Sequence, residues 1–176
     1  MDDRTKGLLG YWLNAIGQTM SAVAATPALV KDAKMRTQLE LWGNVLQSTG
    51  SALITDSEEG SFLEKTGAHL GSIGNAVSAM GVLAPASETV KAEIGKKGNL
   101  ISTLGAGVLL PDAWEEGFTL ESFLDVYGQF LSAIKIKGVD EELVDMIAEW
   151  SQAIASVLAL QNAINSETEQ PSYERG

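Results

Sequence analysis

Charge is missing from the middle of nearly every segment of this chain that has helical spacing. Gly7 to Val30 runs 24 residues without a charged side chain, Leu41 to Thr55 runs 15, and Gly98 to Pro111 runs 14. Thr66 to Ser87 runs 22 with only His69, and Trp150 to Ser166 runs 17. Short charged stretches separate them, such as Lys31-Asp32-Ala33-Lys34 and Asp56-Ser57-Glu58-Glu59. Within the neutral stretches apolar residues recur at three- and four-residue steps: Leu9, Trp12, Ile16, Met20, Val23, and again Leu143, Ile147, Trp150, Ile154, Leu158. That period is helical, so the spacing predicts an all-α chain with six helices over 4–25, 28–54, 60–83, 86–109, 119–136 and 140–164.

Stop and start signals divide the chain in the same places. Thr26-Pro27 reads as a cap followed by proline in a first turn. Thr55-x-x-Glu58, Ser61-x-x-Glu64 and Asp112-x-x-Glu115 have capping-box spacing. Gly138 ahead of Asp140-Glu141-Glu142 reads as one helix end and the acidic first turn of the next.

Glycine is costly in such helices. Glycines 10, 17, 43, 50, 67, 71, 74, 81, 105, 107 and 128 fall inside the expected segments. Each costs roughly 0.8–1 kcal/mol relative to alanine, and together they approach the ~5–15 kcal/mol of a whole domain. Close backbone approach is the expected compensation, since small residues four apart form smooth stripes on which a neighbouring helix nests with many dispersion contacts. Gly17, Ser21, Gly43, Ser51, Gly71, Gly74, Ser78, Gly128 and Ser132 are the candidate positions for helix packing or self-association. The alternative is that some of these glycines break or kink the helices.

The neutral stretches resemble one another. Trp12-x-Asn14-x-Ile16-x-x-Thr19-x-Ser21-Ala22 aligns without gaps on Trp42-x-Asn44-x-Leu46-x-x-Thr49-x-Ser51-Ala52, thirty positions later. Ile73-Gly74-Asn75 through Ser78-Ala79 and Tyr127-Gly128-Gln129 through Ser132-Ala133 continue the series. A degenerate unit of about 30 residues, one per helix, is within the range of helical repeats. The fold expected is an up-and-down bundle or a helical-repeat array, with Trp12, Trp42 and Trp150 as core anchors. The recurring unit resembles the repetitive, functionally unassigned helical proteins of Gram-positive spore-forming bacteria, a resemblance that implies no activity and carries over no functional residue.

A chain of 176 residues fits one domain and can bury roughly 70% of its unfolded surface. A single domain over 1–166 and a frayed tail over 167–176 are expected, the tail because of Pro171 and its few apolar residues. There is no cysteine, which removes disulfides and thiolate chemistry. The net charge of −11 opposes binding to nucleic acid, which needs a positive surface. The acidic start Met1-Asp2-Asp3 is unlike a secretory leader, so a cytoplasmic location is expected.

No residue nominates a reaction, a cofactor or a metal. His69 is the only histidine. Gly105-Ala106-Gly107 lacks the third glycine of a dinucleotide fingerprint, and Gly95-Lys96 lacks the framework of a phosphate loop. Paired carboxylates such as Glu115/Glu116 and Glu141/Glu142 fall at expected helix starts, where the dipole accounts for them. The function expected is therefore a non-enzymatic structural or interaction module that self-associates as a homo-oligomer through its uncharged faces. A membrane-active bundle that inserts conditionally is the first alternative, and a small-ligand carrier or enzyme with a cavity between helices is the second.

Overall fold

The computed structural model describes residues 1–57, 62–116, 119–133 and 140–169. They form α1 (Asp3–Ala24), α2 (Ala33–Ser57), α3 (Phe62–Leu83), α4 (Glu88–Glu116), α5 (Leu120–Ala133) and α6 (Glu141–Glu169). Side-chain oxygens satisfy first-turn amides at five of the starts, Ser87 accepting from the Val90 amide of α4 at 3.4 Å. Asp2 accepts from the Thr5 amide at 2.8 Å, Asp32 from Met35 at 2.7 Å, Thr119 from Ser122 at 3.1 Å and Asp140 from Glu142 at 3.0 Å.

Several expected boundaries move. Thr26 does not cap α2: its hydroxyl donates back to the Ala22 carbonyl at 2.8 Å, Pro27 lies in a turn, and α2 begins at Ala33 behind Asp32. Thr55 is buried near the end of α2, where its hydroxyl donates to the Ser51 carbonyl, so it opens no helix. Asp112 and Glu115 fall within α4, which continues past Pro111 to Glu116. Ser61, Glu58 and Gly138 lie outside the described residues, as do residues 170–176 of the expected tail.

The helices form a closed ring. Each packs on its neighbours in sequence, α6 returns to pack on α1, and among the described residues no helix meets one across the ring. Successive helices run antiparallel. The tightest pairs are the hairpins α1–α2 and α3–α4, and in each of them glycine sets the approach. A Cβ on Gly17 would lie 2.7 Å from the Gly43 carbonyl oxygen, and one on Gly10 would lie 2.7 Å from that of Gly50. In the second hairpin a Cβ on Gly74 would lie 2.6 Å from the Gly98 oxygen, and in the third one on Gly128 would lie 2.7 Å from that of Ala148. Gaps this narrow admit no side chain, so backbones touch along the seams and the helices gain dispersion contacts that their glycines otherwise forgo.

The distribution of polarity is inverted relative to a water-filled surface around an apolar core. Alanine, glycine, serine, threonine and glutamine dominate the buried set, and no large side chain among the described residues is fully buried. Large apolar groups stand outside on every helix: Ile16 on α1, Trp42 on α2, Ile73 on α3, Leu104 on α4, Phe130 on α5 and Ile154 on α6. Trp12, Trp42 and Trp150 are not core anchors, with 47%, 57% and 37% of their surface exposed. The seams are too close for an indole and the ring interior is lined with polar groups, so an indole can only face outward. Trp150 still ties α6 to the α1 end, donating from Nε1 to the Thr26 hydroxyl at 2.9 Å. Among the described residues one helix, over Glu141–Ser166, is long and apolar enough to cross a membrane on its own.

Candidate functional site, a polar lumen

A small residue at each seam is followed at once by a polar one: Gly17-Gln18, Gly43-Asn44, Gly74-Asn75, Gly98-Asn99, Gly128-Gln129 and Ala148-Glu149. One residue further along a helix is a turn of about 100°, so the group beside the seam residue rotates into the ring. Three residues on stands a second polar group: Ser21, Gln47, Ser78, Ser102, Ser132 and Gln152. These twelve positions supply the middle of the lumen. Ten side chains line its narrowest part, a space of about 20 Å³, among them Asn44, Asn75, Asn99, Gln129 and Glu149. That volume holds about one water molecule.

Wider cavities adjoin the pinch on both sides and share wall residues with it. Toward the hairpin turns lie overlapping spaces of about 400 and 520 Å³ that share Glu40, Asn99 and Asp145. Toward the chain termini lies one of about 290 Å³ walled by Gln18, Glu121, Asp125 and Gln129. The lumen is thus shaped like an hourglass.

Hydrogen bonds between helices brace the waist. Gln47 Nε2 donates to Ser21 Oγ at 2.8 Å, and Gln152 Nε2 donates to Ser132 Oγ at 3.1 Å, the same pairing in the first and third hairpins. In the second, Ser78 Oγ donates to Asn99 Oδ1 at 3.2 Å. Between hairpins, Ser48 and Ser72 each donate to the other's carbonyl at 2.9 Å, and Thr103 donates to the Gln129 carbonyl at 2.9 Å. Gln18 Nε2 reaches Gln152 Oε1 at 3.4 Å, while Gln18 Oε1 is buried without a partner.

The lumen is acidic. Glu149 at the pinch has its carboxyl pushed up to about 8, first because the surrounding protein displaces water and then because Glu40 and Asp145 repel its charge. Glu40 is raised for the same two reasons, with Asp145 as its repelling neighbour. Water reaches the Glu40 side chain, yet protein surrounds it on most sides, and that enclosure removes the solvation that favours a carboxylate. In the opposite cavity Asp125 is pushed up to about 6 by desolvation, against a hydrogen bond from Gln129. Among the described residues no Lys, Arg or His lines the pinch or the cavity toward the termini. Arg36, Lys91 and Lys96 line the turn-side cavities, where Arg36 lies 3.7 Å from Glu142 and Lys91 lies 3.0 Å from Glu88.

The expected packing positions divide accordingly. Gly17, Ser21, Gly43, Gly74, Ser78 and Gly128 lie buried where the hairpins cross, and Ser132 accepts the Gln152 bond beside them. Those faces are consumed inside the monomer and are not free for a second copy. Gly71 differs, because a Cβ there would meet nothing within 4 Å; Gly105 carries that seam, against the Gly67 backbone. Ser51 is only half-buried, and its neighbour Gly50 holds the contact with Gly10. The thirty-residue alignment sets Gly17 against Gln47, whereas the helices pair Gly17 with Gly43. Reasoning from tryptophan thus missed the lumen residues. The small-then-polar dipeptide of each helix is the signal that finds them.

No curated protein and no solved structure matches the chain. Residues 5–160 match a family of unknown function, DUF6944. That span reaches into all six helices and includes every lumen residue named above, and the chain belongs to the DUF6944 family.

Proposed function

We propose that this protein is a non-enzymatic, membrane-active helical ring whose polar lumen admits water and small cations. One observation carries the proposal: large apolar side chains face outward on all six helices while the polar ones face a central lumen. A dimer interface would cover one flank of such a ring. Lipid surrounds all of it. Packing through small residues, with amides and hydroxyls joining helices, is how helices associate in bilayers, and acidic side chains at membrane depth face a water-filled interior. Glu40, Asp125, Asp145 and Glu149 all line lumen cavities. On this proposal the protein works at a membrane, not in the cytoplasm as the acidic N-terminus suggests.

The test is flotation with liposomes combined with ion flux. Co-flotation, potassium release and retention of carboxyfluorescein are expected, because a pinch the size of one water excludes a dye. Absence of both flotation and flux would remove the proposal.

A second reading, self-association as a homo-oligomer, is favoured by the outer face of α4, where the exposed Glu93 and Lys97 stand about two turns and one turn before Leu100. Lipid accepts such charges poorly, whereas a protein partner can pair them. Sedimentation at micromolar concentration separates the two: a defined oligomer that ignores liposomes supports self-association, and a monomer that floats supports the ring in lipid.

A further inference from the structure

The six helices offer one small-polar dipeptide each, and five of the six polar members are neutral amides. Glu149 is the exception. It lines the pinch with Asn44, Asn75, Asn99 and Gln129, together with the serine hydroxyls of Ser21, Ser102 and Ser132 from three helices. The space is small, about 20 Å³ in volume, and walled by oxygen-bearing side chains without a cationic residue among them. A half-buried, desolvated carboxyl with no positive neighbour at the pinch favours a counter-charge or a proton.

We propose that the waist is a binding site for one small monovalent cation, a sodium, potassium or ammonium ion, held by the Glu149 carboxylate and neutral amide and hydroxyl oxygens. Two features set the class of ion. The volume accepts an ion about as large as one water and excludes quaternary ammonium ions. A single carboxylate among neutral ligands balances one positive charge, whereas a calcium or magnesium site draws on several carboxylates or phosphates. Among the described residues no three His, Cys, Asp or Glu side chains are placed to share a metal. The unpartnered Gln18 Oε1, in a side chain only 6% exposed, adds an acceptor on the cavity through which an ion would approach from the terminal side. Desolvation, with Glu40 and Asp145 repelling its charge, lifts the Glu149 carboxyl to about 8.

The inference deepens the membrane proposal by naming what the lumen holds, but it is tested in solution without lipid. Thermal unfolding is followed at fixed ionic strength near pH 8 in sodium, potassium, ammonium or choline chloride. A small cation that occupies the waist raises Tm by about 2–4 °C over choline when present at several times its Kd. Glu149→Gln abolishes the difference, and Glu149→Asp, which keeps the charge, retains part of it. Equal Tm in choline and in the small cations overturns the site, as does an undiminished difference in the Glu149→Gln variant. If Glu149→Gln does not fold, sodium-23 line broadening by the unmodified protein, reversed by excess potassium, serves as the second measurement; no broadening counts against the site. Cation binding without flotation refutes only the membrane proposal, and flotation without cation binding refutes only this site.

Discussion

Gly74 and Gly98 meet backbone to backbone: a Cβ on either would lie 2.6 Å from the other's carbonyl oxygen. Neither oxygen can withdraw without moving its helix. Gly74→Ala is therefore expected to destabilise the protein by about 1–2 kcal/mol, overpacking outweighing the better helix propensity. Gly74→Leu costs more. Gly107→Ala, where a Cβ meets nothing within 4 Å, is expected to stabilise by about 0.5–1 kcal/mol. Urea denaturation of the three variants checks this, and stabilisation by Gly74→Ala would show that the seam is open.

The bond from Gln47 to Ser21 is buried in the first hairpin. Ser21→Ala strands the amide and is expected to cost about 1–3 kcal/mol. Adding Gln47→Leu removes the stranded group and recovers a good part of that loss. A double-mutant cycle measures the coupling; additive effects would mean that the two side chains do not meet.

Stability is expected to fall as pH rises. In the folded chain the Glu149 carboxyl titrates near 8, and its ordinary value is 4.5. Between those values the folded state keeps a proton that the unfolded state has released, so this contribution is fully present below the lower value and is lost on approaching the upper. Asp125, raised from 3.8 to about 6, acts in the same direction over a lower range. Melting temperatures measured at low cation concentration should fall between pH 5.5 and 9, a span of about one Glu149 titration, and Glu149→Gln should flatten the slope. A Tm that rises with pH would contradict the burial of these acids.

The helices were legible because the apolar period and the missing charges both follow from which face each residue occupies. The inversion was not. Trp12 and Ile16 recur at helical spacing whether their stripe faces a core or the outside, so periodicity locates an apolar face without saying what it touches. The seam glycines were readable as close approach, but Gly98 and its partner Gly74 are joined only when α3 and α4 fold back on each other. Gln18, Asn44, Asn75, Asn99 and Gln129 stand on five different helices, and their shared lumen depends on closure of α6 onto α1. The fourth helix, expected over 86–109, runs through Pro111 to Glu116.

The absence of cysteine allows clean single-cysteine labelling, and spin-label accessibility in liposomes measures directly which face each helix gives to lipid. Ile73→Cys places a label on the outer face of α3, and Asn99→Cys places one at the pinch. An inverted ring in lipid gives high oxygen accessibility at position 73, with polar reagent excluded, and little oxygen accessibility at position 99. Equal accessibility at the two positions, or a position 73 open to the polar reagent when liposomes are present, would contradict it.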